Sequence, residues 1–165
     1  YEHLIALAKD RHLMEKKLGL NPSKMLVSPE IQAEIDEVVP YWLDFTKKNP
    51  VKYMWGTTWE IVLIAENKSI GSIGLSGFPD KNGQVMVGYA IDEHYHKNGY
   101  ATEALEDLKN WVFSSPDVIS IGAYTPKDNL PSQKVLKKNY FQNIGEVMEE
   151  DIDCYVWEVS KCSKV

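Results

Sequence analysis

Apolar residues recur at helical spacing in the first third of the chain and alternate with polar residues after residue 55. Leu4, Leu7, Met14 and Leu18 share one helical face, which predicts a first helix over residues 4–18 that stops at Gly19. The change of period after residue 55 predicts that a helical segment precedes a sheet.

A second helix is predicted after the connector NPSKMLVSPE. Ser28 suits the N-cap, Pro29 suits the first helical position, and Val38 and Trp42 lie on one apolar face. Pro40 falls inside this pattern and lacks a backbone donor. We therefore expect a kink or two abutting helices there.

The rest of the chain predicts six strands and two helices, with Asn82-Gly83 in a hairpin turn. The predicted order implies one parallel crossover. It consists of three hairpin-connected strands followed by a helix, a strand, a helix and two strands. The expected fold class is therefore α+β, loosely α/β, with a mixed, mostly antiparallel twisted sheet and flanking helices. We expect one domain over residues 1–165, with a two-helix segment in residues 1–50 and a sheet core in 55–160.

Composition narrows the classes of function. A net charge of -6 makes nucleic acid a weak candidate partner. No apolar run reaches the roughly 20 residues that a membrane span needs, and no signal-peptide pattern is present. Cys154 and Cys162 have no metal-ligand spacing, so we expect reduced thiols, no metal and a cytoplasmic protein. Because the chain begins at Tyr1, whether an upstream segment carried a signal stays open.

The stretch EHYHKNGYATEAL, residues 93–105, carries the main candidate chemistry. Free backbone N–H groups where a loop enters a helix bind anions, and Gly99 leaves room for one to approach. Lys97 and His96 add positive charge at the rim. A helix started by a flexible turn is the other interpretation. The chain has no P-loop, and GSIGLSG lies inside a predicted strand, unlike a dinucleotide fingerprint.

Two motifs together resemble the GNAT superfamily, the acetyl-coenzyme A-dependent N-acetyltransferases. GYAIDEHYHKNGYATEAL is similar to the coenzyme-binding signature Gln/Arg-x-x-Gly-x-Gly/Ala, here His96-x-x-Gly99-x-Ala101. DNLPSQKVLKKNYF is similar to the Asn-x-x-Ser/Ala helix that precedes Gly-Phe in the family. The branch it most resembles includes the ribosomal-protein N-terminal acetyltransferases, and the fold it implies is that of the acyl-CoA N-acyltransferases.

The resemblance implies roles for these residues. The N–H groups of residues 97–102 would hold the pyrophosphate, and the strand before them would polarise the thioester. Asn129 and Ser132 would face the pantetheine arm, and Lys134 or Lys137 would reach the outer phosphate. The predicted coenzyme-binding residues are Tyr89, Ala90, Ile91, His96, Lys97, Asn98, Gly99, Tyr100, Ala101, Thr102, Asn129, Ser132 and Lys137.

The chain also departs from the family pattern. His96 replaces Gln or Arg, Tyr140 stands where glycine is common, and Met86 replaces a strand glutamate of many relatives. Leu136 stands where many members carry a tyrosine thought to protonate the leaving thiolate. The family's usual first strand is also missing from this chain, and whether it lies upstream stays open.

These departures leave the catalytic groups open. Tyr124 and Glu93 are the predicted catalytic residues, with Glu60 and Asp92 as further candidates for the base. For Tyr124 the alternative is an aromatic residue that closes the core, and for Glu93 a charge near a helix N-terminus.

The resemblance implies transfer of the acetyl group of acetyl-coenzyme A to a primary amine by direct attack in a ternary complex. The amine would belong to a small molecule or a protein N-terminus, and the protein would be a monomer or a homodimer. One alternative is a coenzyme A-binding sensor or degenerate, non-catalytic module. Another is a non-enzymatic interaction domain. The acceptor, the general base and acid, and the oligomeric state are not fixed by the sequence.

Overall fold

A computed structural model describes residues 1–25, 29–149 and 151–161, with residues 29–35 described by their backbone. It contains five α-helices and six strands in the described ranges, in the predicted order from the second helix onward. The helices are α1 (Glu2–Leu7), α2 (Arg11–Lys17), α3 (Pro29–Lys48), α4 (Tyr100–Phe113) and α5 (Leu130–Lys138). The strands are β1 (Thr58–Leu63), β2 (Lys68–Leu75), β3 (Gln84–Ile91), β4 (Ser120–Pro126), β5 (Gln142–Glu149) and β6 (Ile152–Ser160).

The strands form one mixed sheet in the order β1-β2-β3-β4-β6-β5. Every neighbouring pair is antiparallel except β3 and β4, which are parallel and connected through α4. The predicted α+β class and its single parallel crossover are therefore confirmed.

The parallel pair is joined over only part of its length. β3 and β4 pair at three positions, the last being Met86 with Gly122, although both strands continue beyond it. Past that point, residues 87–91 of β3 and 123–126 of β4 diverge. The divergence opens the sheet next to the N-terminus of α4.

Apolar side chains of the sheet, α4 and α5 make one core. Val85 and Val87 on β3 and Ile121 on β4 pack with Leu105 of α4 and Leu136 of α5. Burying side chains of this size stabilises a fold by roughly 1.5–3 kcal/mol each. The core therefore fixes both helices against one face of the sheet and sets the geometry of the opening.

The predicted first helix was wrong in its extent. Residues 4–18 form two helices, α1 and α2, separated at Asp10. Asp10 is extended, with φ -169°, and its carboxylate accepts hydrogen bonds from the N–H groups of His12 and Leu13. This N-cap starts a new helix, because it satisfies donors that a continuous helix would bond internally.

The second predicted helix is a single helix, α3, that begins at Pro29 and continues through Pro40 to Lys48. Two abutting helices are therefore not seen there. The predicted N-cap, Ser28, lies outside the described residues.

The glycine-rich strand shows why it is not a phosphate loop. Gly71 lies in the middle of β2, and a Cβ built there would stand 2.2 Å from the carbonyl oxygen of Ala90 on β3. Gly71 therefore permits close approach of two strands, as expected of a glycine inside a sheet.

Candidate functional site

A cleft of about 590 Å³ lies where β3 and β4 diverge, between the end of β3, the N-terminus of α4 and one face of α5. Most of its lining comes from the two motifs singled out in the sequence, which the fold brings together. The lining residues are Tyr89, Ala90, Ile91, Tyr95, His96, Lys97, Gly99, Tyr100, Ala101, Thr102, Asn129, Pro131, Ser132, Lys134, Val135 and Lys138.

The loop before α4 is left-handed at two points. Lys97 has φ 66° and Gly99 has φ 88°. Among the described residues, the backbone N–H groups of residues 97–101 have no hydrogen-bond acceptor, whereas the next N–H, that of Thr102, donates to the Gly99 carbonyl at 2.9 Å. A Cβ built on Gly99 would meet no heavy atom within 4 Å. Five successive free donors at a helix N-terminus favour a bound anion.

Side chains fix the shape of this loop. The Nε2 atom of His96 lies 2.8 Å from the Ile91 carbonyl oxygen. Asn98 donates through Nδ2 to the carbonyls of Tyr95 and His96, each at 3.1 Å. Asn98 does not line the cleft, so its side chain shapes the loop from behind.

Asp92 holds the other end of the loop. Its carboxylate accepts from the backbone N–H of His94 at 3.0 Å and lies 2.8 Å from Nδ1 of the same residue. Burial alone raises the pKa of Asp92, but the hydrogen bonds from His94 outweigh it and leave the pKa lowered. A carboxylate whose pKa is lowered and whose oxygen is already hydrogen-bonded is a weak candidate for a general base.

The first turn of α5 faces β3 across the cleft. Asn129 caps the helix, because its Oδ1 accepts from the Ser132 N–H at 3.1 Å. The Tyr89 hydroxyl lies 2.9 Å from Ser132 Oγ and 3.2 Å from the Ser132 carbonyl oxygen. Burial raises the pKa of Tyr89 to about 12, although its hydrogen bond with Ser132 lowers it slightly.

The lysines of α5 are divided between two faces of the helix. Lys134 and Lys138 line the cleft, whereas the Lys137 ammonium lies 5.7 Å from the ring centre of Trp157 and is not part of the lining. Lys137 therefore lies outside the cleft, as Asn98 does, whereas the other predicted coenzyme-binding residues line it. The helical period explains this, since residues 131, 134, 135 and 138 share a face with spacing i, i+3, i+4 and i+7, and 137 does not.

The same period could have identified Pro131, Val135 and Lys138, which the sequence analysis missed. Tyr95 was also missed. Its hydroxyl donates to Glu66 at 3.1 Å across the outer rim, a contact between distant residues that no local pattern signals.

The predicted catalytic residues do not line the cleft. Tyr124 is 46% exposed between the buried Ala123 and Thr125, so its ring lies on the opposite face of the sheet from α4 and α5. Glu93 is exposed in a short 3-10 turn before His96. Their catalytic roles stay predictions.

Glu60 is engaged elsewhere. Its carboxylate is 2.8 Å from Nη2 of Arg11 and also accepts a short hydrogen bond from Ser69 Oγ. This ion pair joins α2 to the sheet. A glutamate held in this way serves packing of the N-terminal helices rather than proton transfer in the cleft.

Cys154 is a buried, free cysteine, and its thiol pKa is raised by burial and by the nearby charges of Glu149, Asp153 and Asp128. Cys162 lies outside the described residues. Within the described ranges no three His, Cys, Asp or Glu residues are grouped for a metal ion, and no helix there is long and apolar enough to cross a membrane.

A family model described as an acetyltransferase (GNAT) domain matches residues 1–142. The chain belongs to the GNAT acetyltransferase family. A curated relative, an uncharacterized N-acetyltransferase YjdG of Bacillus subtilis, is 32% identical over 139 residues, which are 82% of this chain and 77% of the relative. The resemblance of the two motifs to the GNAT family is thereby confirmed, and the protein is an N-acetyltransferase by family.

Solved GNAT structures share its fold. A ribosomal-protein-S5-alanine acetyltransferase from Vibrio fischeri superposes with a TM-score of 0.67 at 20% identity, covering 96% of this chain and 88% of that one. RimL, a ribosomal L7/L12 α-N-protein acetyltransferase in complex with coenzyme A, superposes with a TM-score of 0.65 at 17% identity, covering 96% and 89%. At these identities the likeness shows the GNAT fold.

Proposed function

We propose that this GNAT protein transfers the acetyl group of acetyl-coenzyme A to a primary amine by direct attack in a ternary complex. The observation that carries the proposal is the cleft where β3 and β4 part, with five free N–H donors at one end and Ser132 at the other. Such an opening would let a long, anionic thioester lie between the two strands.

The residues present fit coenzyme A. The N–H groups of residues 97–101 would hold the pyrophosphate, and Lys97, Lys134 and Lys138 would add positive charge along the same rim. Acetyl-coenzyme A would supply an acetyl group activated as a thioester. A backbone N–H between Tyr89 and Ile91 would polarise its carbonyl oxygen.

Most of the rate enhancement would come from positioning. Holding the amine against the thioester carbonyl makes a bimolecular step effectively unimolecular. The amine must first lose a proton, which is easier for an α-amine, with a pKa of roughly 7.7–8.0, than for a lysine at roughly 10.4.

We propose that the preferred acceptor is an α-amine, either the N-terminus of a protein or the α-amino group of a small molecule. Two structural neighbours are named for acetylating ribosomal proteins, which supports a protein N-terminus as the acceptor.

We also propose that the protein acts in the cytoplasm, because reduced cysteines, which the sequence predicts, are typical of that compartment.

Thermal stability tests coenzyme binding first. Acetyl-coenzyme A should raise the melting temperature in a concentration-dependent way, and Gly99→Glu should abolish that shift by filling the anion site. Gly19→Glu is the matched control, because Gly19 also has positive φ (72°) and open space around its Cβ but does not line the cleft. No shift at millimolar acetyl-coenzyme A would refute the proposal and favour a non-enzymatic interaction domain.

Release of the coenzyme thiol against a panel of α-amino peptides, lysine peptides with blocked N-termini and small amines tests transfer. Turnover with at least one acceptor is expected, fastest with α-amines.

The lysines of α5 give a second test of the same site. Lys134→Ala and Lys138→Ala should each weaken acetyl-coenzyme A binding severalfold at low salt, and less at high salt. Lys137→Ala should leave the affinity unchanged because its ammonium lies over Trp157. An equal loss of affinity in Lys137→Ala would show that Lys137 also binds the coenzyme.

A coenzyme A-binding sensor is the second candidate. Met86 replaces the family's strand glutamate, and Leu136 replaces its helix tyrosine and is completely buried. Tight binding without turnover on any amine would favour this candidate.

A further inference from the structure

The hydroxyl groups of Tyr89 and Ser132 meet inside the cleft, and the mechanism above gives their contact no task. Tyr89 lies in the part of β3 that has separated from β4, and its ring packs against the core, which fixes where the hydroxyl points. Ser132 lies in the first turn of α5 and is oriented by the cap at Asn129. The two hydroxyl oxygens are 2.9 Å apart, and the Ser132 carbonyl oxygen, which can only accept, is 3.2 Å from the Tyr89 oxygen. With Tyr89 as the donor, its hydrogen is shared between these two oxygens of Ser132.

Leu136 shows what the cleft lacks. The resemblance to the GNAT family puts Leu136 at the position of a tyrosine thought to serve the leaving thiolate. Here it is 0% exposed and packed in the core between the sheet and α4, so α5 offers no hydroxyl from this position. A thiolate leaving into the cleft still needs a hydrogen-bond donor where negative charge develops.

We propose that Tyr89 is a positioning residue for acetyl transfer: it donates to Ser132 Oγ and so turns the serine hydrogen into the cleft, toward the leaving sulfur of coenzyme A. This inference rests on the proposed function. It gives a tyrosine of β3, acting through a serine of α5, the task that Leu136 cannot perform.

The step balances without any further reactant. The amine nitrogen forms a bond with the carbonyl carbon, the C–S bond breaks, and its electron pair stays on sulfur. The Ser132 hydroxyl donates a hydrogen bond to that sulfur as charge builds up. The proton that the nitrogen loses is the one that the thiolate finally gains through solvent, so the products are an amide and the free thiol.

Tyr89 acts in this scheme as a neutral donor. With its pKa raised to about 12, the phenol does not ionise before a thiol of ordinary pKa, about 8.5. Its hydrogen therefore remains available to Ser132 throughout the reaction. The same contact could instead serve only to tie α5 to β3, and the experiment must separate these two roles.

Ionisation of bound coenzyme A makes that separation without needing an acceptor. The ultraviolet absorbance of the thiolate is followed against pH with coenzyme A bound to the wild-type protein, to Tyr89→Phe and to Ser132→Ala. In the wild type the bound thiol should ionise at lower pH than free coenzyme A. In both variants the midpoint should rise by about one pH unit.

Tyr41→Phe is the matched control. The Tyr41 hydroxyl also donates to a backbone carbonyl, that of Ser76 at 3.0 Å, but Tyr41 does not line the cleft. Its loss should leave the thiol midpoint where it is in the wild type. A contact that only ties α5 to β3 would change the melting temperature of Tyr89→Phe and leave the midpoint unmoved.

Kinetics with the fastest amine of the panel give the second readout. Tyr89→Phe should lower kcat about tenfold with little change in the KM for acetyl-coenzyme A. The double variant Tyr89→Phe/Ser132→Ala should be no slower than Ser132→Ala alone, because Tyr89 acts through the serine.

An unmoved thiol midpoint in Tyr89→Phe, or rate losses that multiply in the double variant, would overturn the inference while leaving the proposed function intact. Failure of the wild type to bind coenzyme A, or to turn over any amine, would overturn the proposed function itself. The two failures are therefore distinguishable.

Discussion

His96 occupies the first position of the coenzyme signature and has a fixed hydrogen bond. Its Nε2 must carry a hydrogen, because the Ile91 carbonyl 2.8 Å away can only accept. The neutral ring then turns a lone pair on Nδ1 to other partners, whereas the protonated ring offers a second N–H donor. A phosphate oxygen at that position therefore favours the protonated ring.

We expect acetyl-coenzyme A to bind more tightly to the protonated ring, so its affinity for the wild type should fall as pH rises. Calorimetric titration of the wild type and of His96→Gln, from acidic to alkaline pH, checks it. A flat profile for the wild type, or the same slope in His96→Gln, would show that the ring only braces the loop.

Tyr140 is held in the left-handed region, with φ 68°, directly after α5. A residue with a Cβ costs roughly 1–2 kcal/mol there, which explains why glycine is common at this position in relatives. The ring is exposed and its centre lies 5.4 Å from the Lys109 ammonium. This cation–π contact offsets part of the backbone strain.

Tyr140→Gly should therefore have a larger free energy of unfolding than Tyr140→Ala by about 1 kcal/mol, because both lose the ring and only glycine relieves the backbone. Urea denaturation of the two variants measures the difference. Equal stabilities would mean that the backbone at this position is not strained.

At the scale of elements, α2 is attached to the sheet by partly buried charges. Arg11 pairs with Glu60 of β1 at 2.8 Å and with Glu15 at 3.4 Å, and Glu15 also accepts from the Ser23 N–H at 3.1 Å. Burial raises the pKa of Glu15, but hydrogen bonds from Ser23 and His12 and the charge of Arg11 outweigh it. The pKa in the folded state is therefore below its ordinary value.

The sign of the pH effect follows. A lowered folded pKa means that ionised Glu15 adds stability above its unfolded pKa and that this contribution disappears as pH falls through the folded value. Glu15→Gln should cost about 2 kcal/mol near neutral pH and progressively less in acid. Glu2→Gln is the control, since the ion pair of Glu2 with Lys17 is exposed. A cost that is constant from pH 7 to strongly acidic conditions would contradict this account.

The elements also show what the sequence could and could not predict. Alternation and helical spacing predicted all six strands, α4 and α5, because each buries one regular face. The break between α1 and α2 was missed because apolar spacing continued across Asp10, and the cap that divides the helices is a side-chain contact.

The same distinction between local patterns and long-range contacts applies to the site. The anion loop was predictable because its N–H donors come from consecutive residues. Tyr89 and Ser132 were each assigned to coenzyme binding, but their contact spans 43 positions and depends on how α5 packs on β3. Lys134 and Lys137 were the predicted phosphate ligands, and of these Lys134 lines the cleft, because proximity in sequence does not specify which side of a helix faces the ligand.

At the scale of the whole molecule, the parting of β3 and β4 divides the sheet into two parts. β1-β2-β3 and β4-β6-β5 share one core, but within the sheet they are joined by three residue pairs. With so few backbone pairs between them, we expect the two parts to open separately at modest free energy.

Native-state hydrogen exchange checks this expectation. Residues 87–91 of β3 still pair with β2, and residues 123–126 of β4 still pair with β6. The amides in these segments that face the gap between β3 and β4 should therefore exchange faster than those that face β2 or β6, and saturating acetyl-coenzyme A should slow them by at least tenfold. Equal protection along β3 and β4 without ligand would contradict it.

This division has a consequence for the life of the protein in a cell. Acetyl-coenzyme A bound between the two parts would contact both of them. It would therefore stabilise the folded protein in the way that buried side chains do. Resistance to proteolysis would then follow the supply of acetyl-coenzyme A, since a ligand that binds only the folded state stabilises it in proportion to the logarithm of its excess over Kd. When the concentration of acetyl-coenzyme A falls, the enzyme that consumes it would also be degraded faster.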